Sequence, residues 1–430
     1  MVFALCKVHA RAGNHGVCLP WEPSLDAAQP VKCWRAQLCW TKFSRKLNRY
    51  DRQMRNPQAT PITRRQLIAN AGNLAVLALT GCAAAQTLAP GSAPAKRKLR
   101  LIGEVRLPYK LQYQGTTVGG LSGIDFDPAT GVLYLLSDDG GSQNPPRFYT
   151  ARIALSAEKL GDIEITGVTF LTGVASPDPE AIRWHAPSQS LLWTSEGNAA
   201  RGAAPTLQQT KPDGSLERIV ALPAMFNFGL ASGPRINKTL EGLAISADGK
   251  TAWLAMEAAL RQDGPVPAVG VPGAPCRFTQ LDLANGKMLR QIAYQPDAIP
   301  RSPVPGSGNA DNGVTEILMR DAHHMLVLER AYMAGLSATL RNSLRVYEID
   351  TRQGSYTLDV PALATGNYTS PGKKLVLDFA DYPALVQLDN TEGMAWGPKL
   401  ANGKRSLLFI SDDNFNLQQI TQLLAFEYSD

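Results

Sequence analysis

Cysteine is scarce over most of the chain. Of the six cysteines in 430 residues, four lie within residues 1–53, Cys82 follows an apolar stretch, and Cys276 stands alone beyond it. One thiol cannot form an internal disulfide, and residues 83–430 contain no C-x-x-C spacing, so a disulfide scaffold and a cysteine-based zinc site are excluded. The five histidines form no cluster with cysteine that would indicate zinc.

Several catalytic and nucleotide-binding motifs are also missing. There is no G-x-S-x-G nucleophile elbow, because Gly123 follows Ser122 directly. Gly249-Lys250-Thr251 lacks the earlier glycine of a phosphate-binding loop. Residues 82–430 hold 31 basic and 34 acidic side chains, whereas residues 1–81 hold 12 and 3. The net charge of +6 therefore comes from the N-terminal segment, and we expect no nucleic-acid partner.

The N-terminal segment has the features of an export signal. Arg64-Arg65 form a twin-arginine sequence, and the uncharged apolar stretch 67–80 is too short to span a bilayer. Leu-Thr-Gly precedes Cys82, as in a bacterial lipobox. We therefore predict a signal peptide over 54–81, lipidation of Cys82, and an exported outer-membrane lipoprotein on the periplasmic face of the envelope. The alternative is a buried hydrophobic helix with a chance cysteine.

The regions on either side of this signal differ in character. Residues 1–53 show no periodicity, and a signal peptide that begins at Met54 has conventional length. We therefore expect that a translation start at Met1 is too far upstream. A genuine N-terminal extension is the alternative. Residues 82–97, rich in Ala, Pro, Gly, Thr and Ser, are typical of a flexible tether. The folded domain is predicted to span residues 98–430.

A hairpin unit recurs five times in this domain. Each copy is a short apolar strand, a turn, a second apolar strand and an acidic residue at or near its end. The copies span 121–139, 179–196, 240–257, 315–330 and 391–413. More strand-like sequence follows most copies, and four strands per repeat separated by Gly, Asp and Pro turns are typical of a propeller blade. The sequence predicts an all-β fold, a β-propeller of five four-stranded blades.

The repeat alone determines neither how the ring of blades closes nor whether it has five or six blades. The last copy runs out of chain, while residues 99–107 form an unassigned strand pattern at the front. We expect that N-terminal strand to pair into the last blade and leave no exposed edge. Six blades are the alternative count, because the two long repeats have room for another sheet. A β-sandwich or two smaller β domains are the rival folds.

Acidic residues open and close these hairpins. The start of the first strand and the end of the second are neighbours in any hairpin. The opening acids are Glu180, Glu241, Glu316 and Glu392, and the closing acids are Asp138, Asp139, Glu196, Glu257, Glu329, Asp412 and Asp413. If these hairpins are the inner halves of the blades, the acids converge at one mouth of the central channel. The alternative is structural, with strand-end side chains that tie one blade to the next.

A ring of carboxylates implies a cation, because like charges repel and burial adds to the cost. Oxygen ligands suit Ca²⁺, with Mg²⁺ as the alternative. We predict that Glu241 and Glu316 activate water and that the other acids bind the metal. Arg330 is predicted to hold the anionic group of a small anionic or ester substrate. Further contacts to this substrate are predicted for Arg147, Arg235 and Arg261. We expect a monomer.

A set of short motifs recurs in a distinctive order. It comprises Gly120–Ile124 with Leu136–Gly140, Pro179–Ile182, Leu240–Ala244, Leu328–Arg330, and Asn390–Met394 with Ser411–Phe415. In this order the motifs resemble those of the bacterial phytase-like family, described by the words "esterase-like activity of phytase". The resemblance covers residues 98–430 and implies a propeller, export, and ester or phosphoester hydrolysis. The histidine-acid phytase motif R-H-G-x-R-x-P is absent.

Two functions of different classes follow from these observations. The first is a metal-dependent hydrolase of ester or phosphoester bonds that uses the carboxylates at the channel mouth. The second is a non-catalytic, lipid-anchored propeller that binds partners in the cell envelope. Stabilisation by Ca²⁺ through ligand linkage distinguishes a real cation site from a merely structural set of acids.

Overall fold

The computed structural model describes residues 99–175, 177–363 and 367–429. Within them the chain forms 22 strands and four 3₁₀ turns, which are Ala199–Arg201, Ala224–Phe226, Arg261–Asp263 and Phe379–Asp381. Residues 1–53, the predicted signal peptide, the tether and Cys82 lie outside the described residues. In the described part of the chain, no helix is both long enough and apolar enough to cross a membrane.

The strands follow one another with short connections. They are β1 (Arg100–Arg106), β2 (Leu111–Tyr113), β3 (Thr116–Val118), β4 (Leu121–Asp127), β5 (Val132–Ser137), β6 (Arg147–Leu155), β7 (Leu160–Phe170), β8 (Pro179–His185), β9 (Ser190–Ser195), β10 (Thr206–Thr210), β11 (Leu216–Val220), β12 (Leu240–Ile245), β13 (Thr251–Met256), β14 (Cys276–Asp282), β15 (Met288–Tyr294), β16 (Ala310–Met319), β17 (His324–Met333), β18 (Asn342–Asp350), β19 (Lys373–Asp378), β20 (Asn390–Trp396), β21 (Arg405–Asp412) and β22 (Gln422–Tyr428).

All but β2 and β3, which pair as a separate hairpin, belong to five four-stranded antiparallel sheets. Blades 1 to 4 are β4–β7, β8–β11, β12–β15 and β16–β19, and blade 5 combines β20–β22 with β1. The first strands of the blades contact one another in chain order, and β20 contacts β4, so the sheets close into a ring. The five-bladed propeller predicted from the repeat is confirmed.

The N-terminal strand closes the ring. β1 pairs antiparallel with β22 from Arg100 opposite Glu427 to Arg106 opposite Gln422. This pairing joins the two ends of the propeller domain in one sheet and covers an edge that would otherwise offer unpaired backbone groups. The predicted closure is confirmed.

Position within a blade explains the pattern of apolar residues. Every residue of β9, a strand near the centre, is buried, because neighbouring blades cover both of its faces. The outermost strand of blade 1, β7, instead alternates between partly buried and exposed residues over most of its length. The strongest apolar runs in the sequence are therefore the inner hairpins, whose open ends carry the predicted acids.

Candidate functional site

Each of the five inner hairpins contains a β-bulge near its open end. The register shifts lie between Leu121 and Gly123, Pro179 and Ile182, Leu240 and Gly242, Val314 and Glu316, and Thr391 and Gly393. The residues at the equivalent bulge position are Ser122, Glu180, Glu241, Thr315 and Glu392. A bulge redirects its extra side chain, and the three glutamates of this set line the channel mouth.

The second strand of each hairpin supplies one more side chain at the same level. Counted from the bulge, the equivalent residues are Asp138, Glu196, Glu257, Arg330 and Asp412. Together with the three bulge glutamates, these five residues line a cavity of about 620 Å³. The structure thus brings together eight of the residues that the sequence predicted, from all five blades.

Three groups of carboxylates in this cavity are close enough to share a cation. They are Asp138 with Glu392 and Asp412, Asp178 with Glu180 and Glu196, and Glu196 with Glu241 and Glu257. Within each group, one oxygen per residue lies within 4.8 Å of the others. Glu196 belongs to two groups, so the carboxylates form a nearly continuous acidic lining.

Burial and mutual repulsion shift the protonation of these acids. Burial, and then the nearby Glu241 and Glu196, raises the pKa of Glu180 well above its usual range. Burial and the neighbouring Glu257 raise the pKa of Glu196 to about 8. The pKa of Glu392 is raised to about 7 by burial, although Arg330 opposes the shift. The cavity therefore strongly disfavours its own full ionisation when nothing positive balances it.

Three carboxylates lack any donor. Among the described residues, none donates a hydrogen bond to the side chains of Asp138, Glu180 or Glu241, although Glu180 and Glu241 are only 9% and 8% exposed. Structural strand-end acids would accept hydrogen bonds from backbone amides, as Asp413 does from the amides of Gly120 and Phe415. Buried carboxylates without donors are expected to face a cation or a basic ligand.

Two cationic side chains compensate part of the negative charge. Arg330 lies 3.3 Å from Glu392 and 3.8 Å from Glu257, measured from Nη2 to the nearest carboxylate oxygen. Lys238 pairs with Asp311, and its Nζ is 3.5 Å from Glu257. The lining holds ten carboxylates but only three cationic side chains, the third being Arg341. The cavity is acidic overall, with its positive groups concentrated around Glu257 and Glu392.

The cavity also contains residues that the sequence did not predict, which lie in connections or at the ends of strands. They are Asp178, Asn237, Lys238, Asp311, Tyr332, Arg341, Asp389, Asn390, Asn414, Asn416, Gln418 and Gln419. Some stand close to a predicted acid in the chain, as Asp178 does to Glu180 and Lys238 to Glu241. That proximity was the available signal, because loops follow no periodicity from which a direction can be predicted.

Glu316 lies outside the cavity. It is the residue after the bulge, so its side chain points below the channel mouth, where its Oε2 lies 2.7 Å from Nη2 of Arg183. Burial raises the pKa of Glu316 to about 7, and Arg183 opposes that shift. Arg183 also donates to the backbone carbonyls of Ile124, Ile182, Ile317 and Met394. Glu316 accepts from the backbone amide of Leu243 in blade 3, so this buried pair joins all five blades beneath the cavity.

Glu329 also points away from the cavity, because it precedes the position that Arg330 occupies. Its carboxylate accepts hydrogen bonds from Tyr294 at 2.6 Å and Lys373 at 2.7 Å. The backbone amide of Asp297 and the side chain of Asn312 donate to it as well. These donors fully account for its charge, and the contacts tie blade 4 to blade 3.

Asp139 and Asp413 follow the cavity residues by one position and have structural partners. Asp139 is paired with Arg147 at 2.8 Å, and both side chains are fully buried. Several amides of residues 141–144 also donate to Asp139 and lower its pKa to about 2 despite burial. Asp413 accepts from the amides of Gly120 and Phe415. Arg147 is thus a buried partner of Asp139, outside the cavity.

The other two arginines predicted to bind substrate are also outside the cavity. Arg235 donates to the carbonyls of Gly264 at 2.7 Å and Ala259 at 3.2 Å. Arg261 is half-buried at the start of a 3₁₀ turn, and its charge lowers the pKa of Arg235, although burial contributes more. Of the predicted arginines, only Arg330 lines the cavity.

The donor set of the cavity fits a hard divalent cation. Carboxylate and carboxamide oxygens dominate the lining, and neither histidine nor cysteine contributes to it. Such oxygens suit Ca²⁺ or Mg²⁺ better than zinc. A positive group at the centre would relieve the repulsion that raises the pKa of these acids.

Comparison with known proteins gives one informative match. The model of the phytase-like family, "esterase-like activity of phytase", matches residues 116–415. No curated protein matches the chain. The matched region contains every residue of the acidic cavity except Asn416, Gln418 and Gln419.

Similarities to solved structures are distant. They include hydrazine synthase from Kuenenia stuttgartiensis, with 14% identity, a TM-score of 0.32, and 70% of this chain and 80% of that chain covered. The catalytic domain of a GH62 α-L-arabinofuranosidase from Coprinopsis cinerea has 12% identity and a TM-score of 0.37, with 78% of this chain and 98% of that chain covered. A chain of a mitotic checkpoint complex has 10% identity and a TM-score of 0.31, with 82% of this chain and 100% of that chain covered. Scores this low carry no argument about function.

Proposed function

The chain belongs to the phytase-like family, and on that premise we propose that it hydrolyses ester or phosphoester bonds in the acidic cavity with the help of a divalent cation. One observation carries the proposal most directly. Asp138, Glu180 and Glu241 face the cavity without a hydrogen-bond donor in the described structure. Side chains kept in this state are costly unless a cation or a substrate uses them.

Ca²⁺ is the proposed ion, and Mg²⁺ is the alternative. Glu196, Glu241 and Glu257 would hold it, because oxygens of these three buried residues lie within 4.8 Å of one another, and Glu180 forms a second such group with Glu196 and Asp178. A bound divalent cation offsets the crowded negative charge, polarises a phosphoryl or carbonyl oxygen, and lowers the pKa of water. Glu257 already has Lys238 and Arg330 nearby, so it links the cation group to the positive side of the cavity.

The protein's own side chains divide the remaining work. Arg330 donates to an anionic oxygen of the substrate, and Lys238 adds a second positive charge beside it. Glu241 would take two roles: one of its carboxylate oxygens would belong to the cation site, and the other, which no donor in the described structure contacts, accepts the proton of the attacking water. Glu316 has no place in this chemistry, because its carboxylate is buried against Arg183 beneath the cavity.

We also propose that the protein is an exported monomer, lipid-anchored through Cys82 on the periplasmic face of the outer membrane. The twin-arginine sequence, the short apolar stretch and the Leu-Thr-Gly-Cys ending support this location. Incorporation of labelled palmitate into the wild type but not into Cys82→Ala would support the anchor. A chain that enters the periplasm without the label would contradict it.

A substrate screen with matched variants tests the hydrolase. Phosphomonoesters, phosphodiesters and carboxylic esters are offered to the purified protein with Ca²⁺, with Mg²⁺ and with EDTA. We expect turnover of at least one class that requires the cation and falls about 100-fold or more in Glu241→Gln, since a missing general base typically costs 10²–10⁴-fold. The matched control, Glu158→Gln, changes an exposed acid in the turn between β6 and β7.

The outcomes of this screen distinguish the two function classes. The proposal would be contradicted if no ester class showed turnover that requires the cation, or if cation-dependent turnover were equal in Glu241→Gln and wild type. Cation-induced stabilisation without turnover of any ester class would instead favour a non-catalytic propeller that binds envelope partners.

A further inference from the structure

A second polar cavity lies at the opposite end of the inner hairpins. It has a volume of about 590 Å³ and is formed by turns of blades 2 and 3. Its lining includes His185, Ser188, Gln209, Arg218 and Gly249. The acidic cavity uses none of these residues. Ser188 is exposed and His185 half-buried, so a molecule in this cavity can reach both.

His185 connects Ser188 to the backbone of the next blade. Its Nε2 lies 2.7 Å from the carbonyl oxygen of Gly249, and its Nδ1 lies 2.5 Å from Oγ of Ser188. A carbonyl oxygen can only accept, so Nε2 carries the proton. In the neutral ring Nδ1 is then the acceptor, and the hydroxyl of Ser188 donates to it. This is the arrangement of a serine nucleophile and its general base, oriented by a third group.

Gly249 makes the third contact available. Its backbone has φ +68°, and a Cβ there would lie 2.6 Å from Cγ of Pro187 and 3.2 Å from Nε2 of His185. Only a glycine therefore lets the turn of blade 3 approach His185 closely enough for its carbonyl to fix the imidazole. The contact spans two blades, so the hairpin that carries Ser188 does not supply it alone.

Gln209 supplies hydrogen-bond donors beside the serine. Nε of Arg218 donates to its Oε1 at 3.1 Å, which fixes the orientation of the amide. Its Nε2 then lies 2.8 Å from Oγ of Ser190, 3.2 Å from Oε2 of Glu217 and 3.3 Å from Oγ of Ser188. An oriented amide next to a reacting oxygen can stabilise negative charge that develops there.

We propose that Ser188 is a nucleophile for carboxylic esters, with His185 as its general base and the Gly249 carbonyl as the group that orients it. Ser188 Oγ bonds to the ester carbonyl carbon while its proton moves to Nδ1 of His185. The bond from that carbon to the leaving oxygen then breaks, and the proton passes to the departing alcohol. Water attacks the acyl-serine next, gives one proton to His185 and releases the acid, and the same proton returns to Ser188.

Covalent labelling of the whole protein tests this second site. A fluorophosphonate is added, and the modified peptide is identified by mass spectrometry, with hydrolysis of p-nitrophenyl acetate measured in parallel. We expect the label on Ser188 at a rate that EDTA does not change, no label in Ser188→Ala, and a rate at least about tenfold lower in His185→Gln. Ser246→Ala is the matched control, because Ser246 occupies the equivalent turn of blade 3 and bonds Asp248 instead of a histidine.

The outcome is independent of the acidic cavity. Wild type that takes no label, or a label that persists in Ser188→Ala, would overturn the proposal. Equal labelling of wild type and His185→Gln would show that the histidine only stabilises its turn. Cation-dependent hydrolysis, measured separately, stands or falls without affecting these results, since EDTA distinguishes the two activities.

Discussion

Blades 3 and 4 carry the same hairpin but use their acids in opposite ways. In blade 3, Glu241 and Glu257 occupy the bulge and closing positions and face the cavity. In blade 4, those positions hold Thr315 and Arg330, and the acids are displaced by one residue to Glu316 and Glu329. Successive side chains of a strand point to opposite faces, so this displacement moves both acids out of the cavity.

The acids of the two blades also differ in their charge partners and hydrogen-bond donors. Glu316 and Glu329 have cationic partners in Arg183 and Lys373, at 2.7 Å each. Glu241, in contrast, has no donor within the described structure. The comparison teaches that register decides whether an acid at a strand end faces the cavity or pairs with the scaffold.

The largest effect is expected from Arg183→Met. The change leaves Glu316 buried without its charge partner and removes the donor to four carbonyl groups in four blades. Loss of one member of a buried ion pair typically costs about 3–5 kcal/mol of the free energy of unfolding. Urea unfolding monitored by tryptophan fluorescence checks this, with the exposed Arg152→Met as control. A loss equal to that of the control would show that the pair does not hold the blades together.

The next largest effect concerns Arg330, which stands where blade 3 has Glu257. Removal of its charge in Arg330→Gln should lower kcat/KM for an anionic ester by about 10- to 100-fold, because a hydrogen bond to a charged group contributes about 1.5–3 kcal/mol. An uncharged ester of similar size should be affected much less. Steady-state kinetics on both esters checks this. Equal losses on the two esters would mean that Arg330 does not recognise the anion.

The five hairpins and their closure were predictable because apolar runs and turn residues define strands locally. The exact register was not predictable, because nothing in the sequence of blade 4 shows that the bulge falls at Thr315 instead of Glu316. Arg183 was missed because a strand arginine normally points to solvent, whereas this one lies in the channel. Lys238 and Asp178 were missed because loops bring them to the cavity.

A smaller effect is expected in the dependence of stability on pH. The folded pKa is about 7 for Glu392 and about 8 for Glu196, above the usual 4.5. Between pH 4.5 and the folded pKa of each group, the folded state binds more protons than the unfolded state. The stabilisation that these two protonated acids contribute is therefore fully present below pH 4.5, and it is lost as the pH rises through about 7 and about 8. In EDTA the Tm should fall from pH 5 to pH 8, and less in Glu196→Gln. A Tm that rises over this range would contradict the shifted values.

Calcium binding by paired variants of blades 3 and 4 tests the central claim most directly. Isothermal titration calorimetry is carried out on wild type, Glu241→Gln and Glu329→Gln. Cation affinity depends on the number of charged ligands, so we expect about tenfold or greater weakening in Glu241→Gln and a change within about twofold in Glu329→Gln. No binding by wild type, or equal weakening in both variants, would contradict the claim that register assigns the acids of blade 3 to a cation site and those of blade 4 to the scaffold.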